Sequence, residues 1–269
     1  MLINGLPGNT ISATDRGLLY GDGVFRTMRL SGGRTLHWPR HYQKLQHDCA
    51  ALLLPCPDAR LLEAELAELT WGQAAGVVRL TLTRGTSARG YAPPVSASPT
   101  RILSLSPVPV YPAEWATDGV GLHLCQLQLA AQPRLAGIKH LNRLENVLAA
   151  AEWNDPALAE GLLQDEHGRV ISGTRSNLFI VRHGTLHTPD LSRCGVAGMQ
   201  RERVLDWAQT QGIPVQVRAL TLAEVLAADE LFLTNSLIGA WPVRALLNKI
   251  WAEFPLTRRI QAALESDDV

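Results

Sequence analysis

Lysine is scarce in this sequence. Only Lys44, Lys139 and Lys249 occur, and arginine supplies the remaining 22 of the 25 basic side chains. Any chemistry that needs an amine nucleophile therefore has three side-chain candidates. Neither sign of charge is in excess: 25 basic residues balance 25 acidic ones, with no run of like charge. Nucleic acid and anionic membrane surfaces both demand a concentrated basic face, so neither is expected as a partner. No apolar run is long enough to span a bilayer, and the opening MLINGLPGNTIS lacks the basic-then-apolar order of a secretory leader. Cys49, Cys56, Cys125 and Cys194 have no CxxC spacing and are too sparse for a disulfide framework. The expectation is a cytoplasmic protein with reduced thiols. GxGxxG, GxxxxGK and GxSxG are all absent, which excludes the usual dinucleotide, nucleotide and serine-hydrolase loops. Histidine forms no metal motif. His183 and His187 are separated by a glycine turn, His37 and His41 flank Trp38 and Pro39, and no carboxylate in sequence completes either pair, so no metal is expected.

What is present is apolar material. Hydrophobic residues make up 46% of 269 and charged residues 19%, enough for one large core or two smaller ones. Val24–Leu30 alternates as a strand, and Ser31–Arg34 reads as a hairpin turn. Leu45, Cys49, Leu52 and Leu53 mark a helix, and Asp58 is placed to cap a second one that runs through Leu69. VVRLTLTRG and RILSLSPVPV read as strands. Pro107, Pro109 and Pro112 then crowd the chain and spoil both helix and ladder. The expected division is a smaller α/β domain over 1–108, a linker over 109–117 and a larger domain over 118–269. In the second part GVGLHLCQLQL, EGLLQD, VISGTRSNLFIVRHGTLHT and ELFLTNSL read as strands. A helix is expected to run on from Lys139 through IKHLNRLENVLAAAEW, and others over MQRERVLDWAQTQG, ended by Gly212, and LTLAEVLAA. The fold class is α+β or α/β in two domains.

Lys139 is the foremost chemical candidate. A helix ahead of it would turn a positive end toward the ammonium, and Leu135, Ile138 and Leu141 would enclose it; both effects favour the neutral amine that condenses with carbonyls. The bland alternative is a surface lysine just before a helix. GVAG feeding Met199-Gln200-Arg201 can cradle a phosphate on helix amides, or can be a simple left-handed turn. Asn235 and Ser236 end a strand, where they can serve a ligand or close a local turn.

In order along the chain, LINGL, SATDRGLLYGDGVF, TRGTSARGY, RILSL, LAGIKHLNRLENVL, SNLF, HTPDLSRCGVAGMQR, ADELFLTNSL and Pro242-Val243 together resemble the fold-type-IV pyridoxal-phosphate enzymes, the branched-chain-aminotransferase-like family. GIKHLNRLE points to its aminodeoxychorismate lyase branch. The resemblance implies a homodimer with pyridoxal 5'-phosphate in the cleft between two domains. It implies a reaction that takes aminodeoxychorismate to para-aminobenzoate and pyruvate for folate synthesis. Lys139 matches the lysine that holds the cofactor and acts as base. The backbone of Met199 and Gln200, with the Ser236 hydroxyl, matches the phosphate cradle, and Asn177 matches the asparagine at the end of the cofactor strand. Lys44, in HYQKL, stands where an arginine is usual, so the charge survives without the two-nitrogen fork. Ser172 stands where the family has a glutamate facing the pyridine nitrogen. The substrate's two carboxylates call for guanidinium groups: Arg26, Arg89 and Arg143 are the candidates, with Tyr91 and Asn142 as polar contacts. The alternatives are a branched-chain or D-amino acid aminotransferase on the same fold, and a non-catalytic cofactor-binding protein.

Overall fold

A computed structural model describes residues 1–268. The chain divides into two compact units: Met1–Pro109 together with Ile138–Asn142, and Val110–Gly137 together with the residues from Arg143 onward.

The first unit contains β1 (Leu2–Ile3), β2 (Leu6–Pro7), α1 (Arg16–Tyr20), β3 (Gly23–Ser31), β4 (Arg34–Thr35), α2 (Trp38–Ala51), α3 (Ala59–Leu69), β5 (Ala75–Thr83) and β6 (Thr100–Ser106). Its strands form a six-stranded sheet in the order β2-β1-β6-β5-β3-β4. β3 and β5 pair along their full length, from Gly23 with Thr83 to Ser31 with Ala75. The alternation in β3 buries Val24, Met28 and Leu30 in one cluster with Leu45 and Cys49 of α2 and Leu62 of α3. The Ser31–Arg34 hairpin forms because Gly32 and Gly33 both adopt positive φ, 55° and 74°, as a two-residue turn that follows strand twist requires. Asp58 caps α3 by accepting from the Arg60 amide at 2.9 Å. α1 lies in a stretch that carries no helix expectation from sequence. Asp15 caps it through the Gly17 amide, and Gly21 closes it in the left-handed region.

The second unit contains α4 (Glu114–Thr117), β7 (Val120–Leu129), α5 (Leu144–Ala150), β8 (Leu158–Asp165), β9 (Val170–Gly173), β10 (Asn177–Arg182), β11 (Thr185–Pro189), α6 (Met199–Thr210), β12 (Val215–Arg218), α7 (Leu222–Leu226), β13 (Glu230–Asn235), β14 (Gly239–Leu246), β15 (Lys249–Ile250) and α8 (Pro255–Ser266). The main path of its mixed sheet is β12-β11-β10-β13-β14-β7-β8-β9, with β15 on β14. Central strands β10 and β13 are apolar on both faces, as a doubly covered sheet demands. Leu178, Ile180, Leu231 and Leu233 join one cluster. Phe179, Val181 and Phe232 join another, beneath Val204 and Ala208 of α6 and Ile260 and Leu264 of α8. The two phenylalanine rings stack at 5.0 Å.

One helix differs from expectation. α5 begins only at Leu144, and residues 138–142 are irregular, with His140 bridging antiparallel to Val24. The Phe25 amide donates to the Lys139 carbonyl and the Leu141 amide to the Gly23 carbonyl, each at 3.0 Å, so bonds to β3 replace the first helical turns.

α8 has no side chain at its own cap position, Phe254, to accept from its first amides. Glu230 of β13, buried, does so instead. Its carboxylate accepts from the Leu256 amide, the Thr257 amide and the Thr257 hydroxyl, each at 2.8 Å. Glu230→Ala leaves these donors buried and unmatched, and is expected to lower stability by about 1.5–3 kcal/mol in urea unfolding. An unchanged midpoint would show that the carboxylate does not hold this helix end.

Candidate active site

The polar centre of the first unit is Asp48 on α2, 1% exposed, facing Arg26 on β3, 3% exposed. The Arg26 guanidinium donates to the Asp48 carboxylate, and to the Lys44 carbonyl at 3.2 Å. The same Asp48 oxygen accepts the backbone amide of Lys139 at 3.0 Å. One carboxylate thus joins α2, β3 and the 138–142 segment. The Lys139 side chain is half-buried, its Nζ 4.6 Å from the centre of the Phe25 ring. Lys44, largely buried, sits one turn before Asp48 on the same helix face. Nearby, Asp22 accepts from Arg16 Nε and Arg84 Nε, both at 2.8 Å. Burial alone would raise the Asp22 pKa, but the Arg84 and Arg16 guanidinium groups outweigh it and hold the carboxyl below its ordinary value. Arg16 also donates to the carbonyls of Gly90 and Tyr91 at 2.9 and 2.8 Å, which pins the loop that carries Arg89 and Tyr91.

In the second unit the polar groups gather where β10 begins and β13 ends. Asn177 donates to the Val196 carbonyl at 2.7 Å and accepts from the Gly198 amide at 3.0 Å. A Cβ at position 198 would lie 2.4 Å from the Asn177 oxygen, so only glycine fits. Gly198 is the cap residue of α6 and supplies no side chain, leaving the first amides of that helix, on Met199 and Gln200, to an outside acceptor. Thr234 is the register partner of Asn177 across the β10–β13 ladder. It is 1% exposed, and its hydroxyl oxygen is buried with no hydrogen-bond partner among the described residues.

Residues 23–246 match the family described as amino-transferase class IV. The chain belongs to that family. It is 37% identical to an aminodeoxychorismate lyase of Vibrio harveyi, over 98% of this chain and 99% of that protein. It is 32% identical to a putative branched-chain-amino-acid aminotransferase of Methanocaldococcus jannaschii, over 87% of this chain and 81% of that one. Among solved structures, 4-amino-4-deoxychorismate lyase of Pseudomonas aeruginosa matches with a TM-score of 0.96 and 48% identity, covering 99% of this chain and 98% of that one. A fold-type-IV architecture, with mixed sheets and flanking helices, is therefore shared from end to end.

Within this class IV framework the structure brings some expected residues together and leaves others at the surface. Lys139, Lys44 and Arg26 cluster around Asp48 in the first unit. Arg89 is exposed, Tyr91 is 86% exposed with its ring 5.4 Å from that of Tyr20, and Asn142 is exposed. In the second unit Asn177, Met199 and Gln200 meet at the start of α6. The Gln200 side chain accepts from Arg203 at 3.0 Å. Asn235 closes a local turn, accepting from the Leu237 and Ile238 amides, while Ser236 lies half-buried in that turn. Ser172, buried on β9, is paired with Leu163 of β8. Arg143 stands just before α5, and its guanidinium donates to the Asn146 side-chain oxygen at 3.5 Å. Asp48 and Thr234 were not singled out from sequence. Asp48 had one signal there: it shares the buried face of α2 with Leu45 and Cys49.

Removing one member of a buried ion pair leaves the other charge uncompensated. Asp48→Ala is expected to lower stability by about 3–5 kcal/mol in urea unfolding, and the double variant Arg26→Met/Asp48→Leu to recover much of that loss. A cost below about 1 kcal/mol for the single variant would mean that the pair behaves like a solvent-exposed one.

Proposed function

We propose that this protein is an aminodeoxychorismate lyase. It converts 4-amino-4-deoxychorismate to para-aminobenzoate and pyruvate for folate synthesis, with pyridoxal 5'-phosphate as cofactor. The observation that carries the reading is the end-to-end likeness to two lyases, in a chain whose Lys139 is held by Asp48. The donor set suits the cofactor. The second unit offers an uncapped helix start, a glycine where a side chain would clash, and a buried hydroxyl with no partner among the described residues, all fit for phosphate. The first unit offers an amine and two further cations.

Bound to an amine, pyridoxal phosphate draws electrons from the carbon that bears the substrate nitrogen. In the first unit Lys139 would hold the cofactor and remove the proton from the amine-bearing ring carbon. Loss of that proton, with cleavage of the neighbouring enolpyruvyl C–O bond, yields pyruvate and an aromatic ring. Lys44 is assigned a phosphate contact, and Arg89, Tyr91 and Asn142 are assigned to the substrate. Arg26 is assigned to positioning, because its guanidinium is engaged by Asp48 and the Lys44 carbonyl. In the second unit the amides of Met199 and Gln200 and the Ser236 hydroxyl are assigned to phosphate, Asn177 to holding the α6 cap, and Arg143 to a substrate carboxylate. Ser172 can share a hydrogen bond with a ring nitrogen but cannot favour its protonation as a carboxylate would.

A cytoplasmic homodimer completes the proposal. α5 exposes Leu144, Val147 and Leu148 at helical spacing, an apolar stripe that a second copy would cover. Among the described residues, no helix is long and apolar enough to cross a membrane.

The test is a product assay on purified, cofactor-loaded protein with 4-amino-4-deoxychorismate. Para-aminobenzoate and pyruvate are expected in equal amounts. Amino-group exchange between amino acids and keto acids, with no aromatic product, would place the protein among the aminotransferases instead. Lys44→Met is expected to weaken cofactor retention roughly ten- to hundredfold, from the loss of one charge-assisted contact of about 1.5–3 kcal/mol. Retention is read by absorbance after dialysis, and unchanged retention would remove Lys44 from the phosphate site.

A further inference from the structure

His123 and Cys125 stand two apart on β7 and so project from the same face of the strand. The pairing of β7 with β8 then shifts register between Leu124 and Gln128. In that irregular stretch the amides of Gln126 and Leu127 turn to Glu152, just beyond α5, and donate to its two oxygens at 2.6 and 2.9 Å. Glu152 is thereby fixed beside His123, whose Nε2 lies 3.3 Å from the Glu152 Oε2. Ligand atoms of His123, Cys125 and Glu152 all lie within 4.8 Å of one another. Cys125 is buried and the other two are half-buried. The Trp153 ring stacks on the imidazole at 5.6 Å. None of these residues has a part in the proposed reaction.

We propose that His123, Cys125 and Glu152 form a binding site for one borderline-soft divalent metal ion of the zinc class, with a fourth position open to water. An imidazole nitrogen, a thiolate and a carboxylate are the donors that zinc takes. Two ligands each about 2.0 Å from a metal and separated by a tetrahedral angle lie about 3.3 Å apart. The His123–Glu152 separation of 3.3 Å has that value and is long for a direct N–H···O bond, whose usual length is about 2.9 Å. The two backbone amides on Glu152 supply the outer hydrogen bonds that orient a ligating carboxylate. The Cys125 thiol is buried, and the thiolate is the form that binds a metal. Metal binding therefore breaks the S–H bond, forms a metal–sulfur bond and releases one proton to solvent.

Cobalt chloride is the direct probe, added to the cofactor-loaded protein and read as difference spectra against the same protein without cobalt. The expected result is one Co2+ per chain with a thiolate-to-cobalt band in the near ultraviolet and d–d bands of four-coordinate cobalt in the visible. Excess Zn2+ should displace both. Cys125→Ser should abolish the thiolate band, and His123→Gln, at a half-exposed position, should weaken Co2+ binding at least tenfold by equilibrium dialysis. A folded wild-type protein that gives no thiolate band at saturating Co2+ would overturn the proposal. So would a band that persists in Cys125→Ser, since it would belong to another cysteine or to the cofactor.

Discussion

A buried carboxylate organises the first unit. Asp48 and Arg26 are both almost wholly enclosed, and enclosure of two charges is tolerable only when they are paired and hydrogen-bonded. Beyond each other, their partners include two backbone groups of the lysines the proposal assigns: the Lys44 carbonyl for Arg26 and the Lys139 amide for Asp48. The 138–142 segment packs in this unit although the chain on either side of it belongs to the other. Its ladder bonds to β3 and its bond to Asp48 fix the backbone of Lys139. The amine that the proposed chemistry needs is therefore set by the same pair that sets α2 against β3.

The second unit shows two answers to one problem. Each helix start carries amides with no partner inside the helix. At α8 the protein answers with Glu230, brought from a neighbouring strand. At α6 the cap is a glycine held by Asn177, and no side chain is supplied. The Thr234 hydroxyl, on the strand next to Asn177, likewise has no acceptor or donor among the described residues. The contrast between the two helix starts is what supports placing the cofactor phosphate of the proposal at the second.

Much of this was legible in the sequence where local rules decide. The alternation of β3, the paired glycines of its hairpin and the Asp58 cap each express one short-range preference. With three lysines in the chain, Lys139 stood out through the residues that follow it. Other features were hidden because distant residues create them. The stretch after Lys139 has helical character, yet bonds to β3 override it until Leu144. α1 is five residues long and too short to show a period. Asp48 reads as one more polar helix residue until Arg26 is placed against it. Thr234 is distinguished only by what it lacks in three dimensions. Glu152 is 27 residues from Cys125, so sequence spacing gave no sign that a strand irregularity brings them together.

The central claim is that Lys139 is the lysine that binds the cofactor, and with so few lysines it can be tested in one experiment. Borohydride reduction of the cofactor-loaded protein makes that attachment permanent, and peptide mapping by mass spectrometry locates it. A single modified peptide containing Lys139 is the result expected. Cofactor fixed to Lys44 or Lys249, with Lys139 unmodified, would contradict the account.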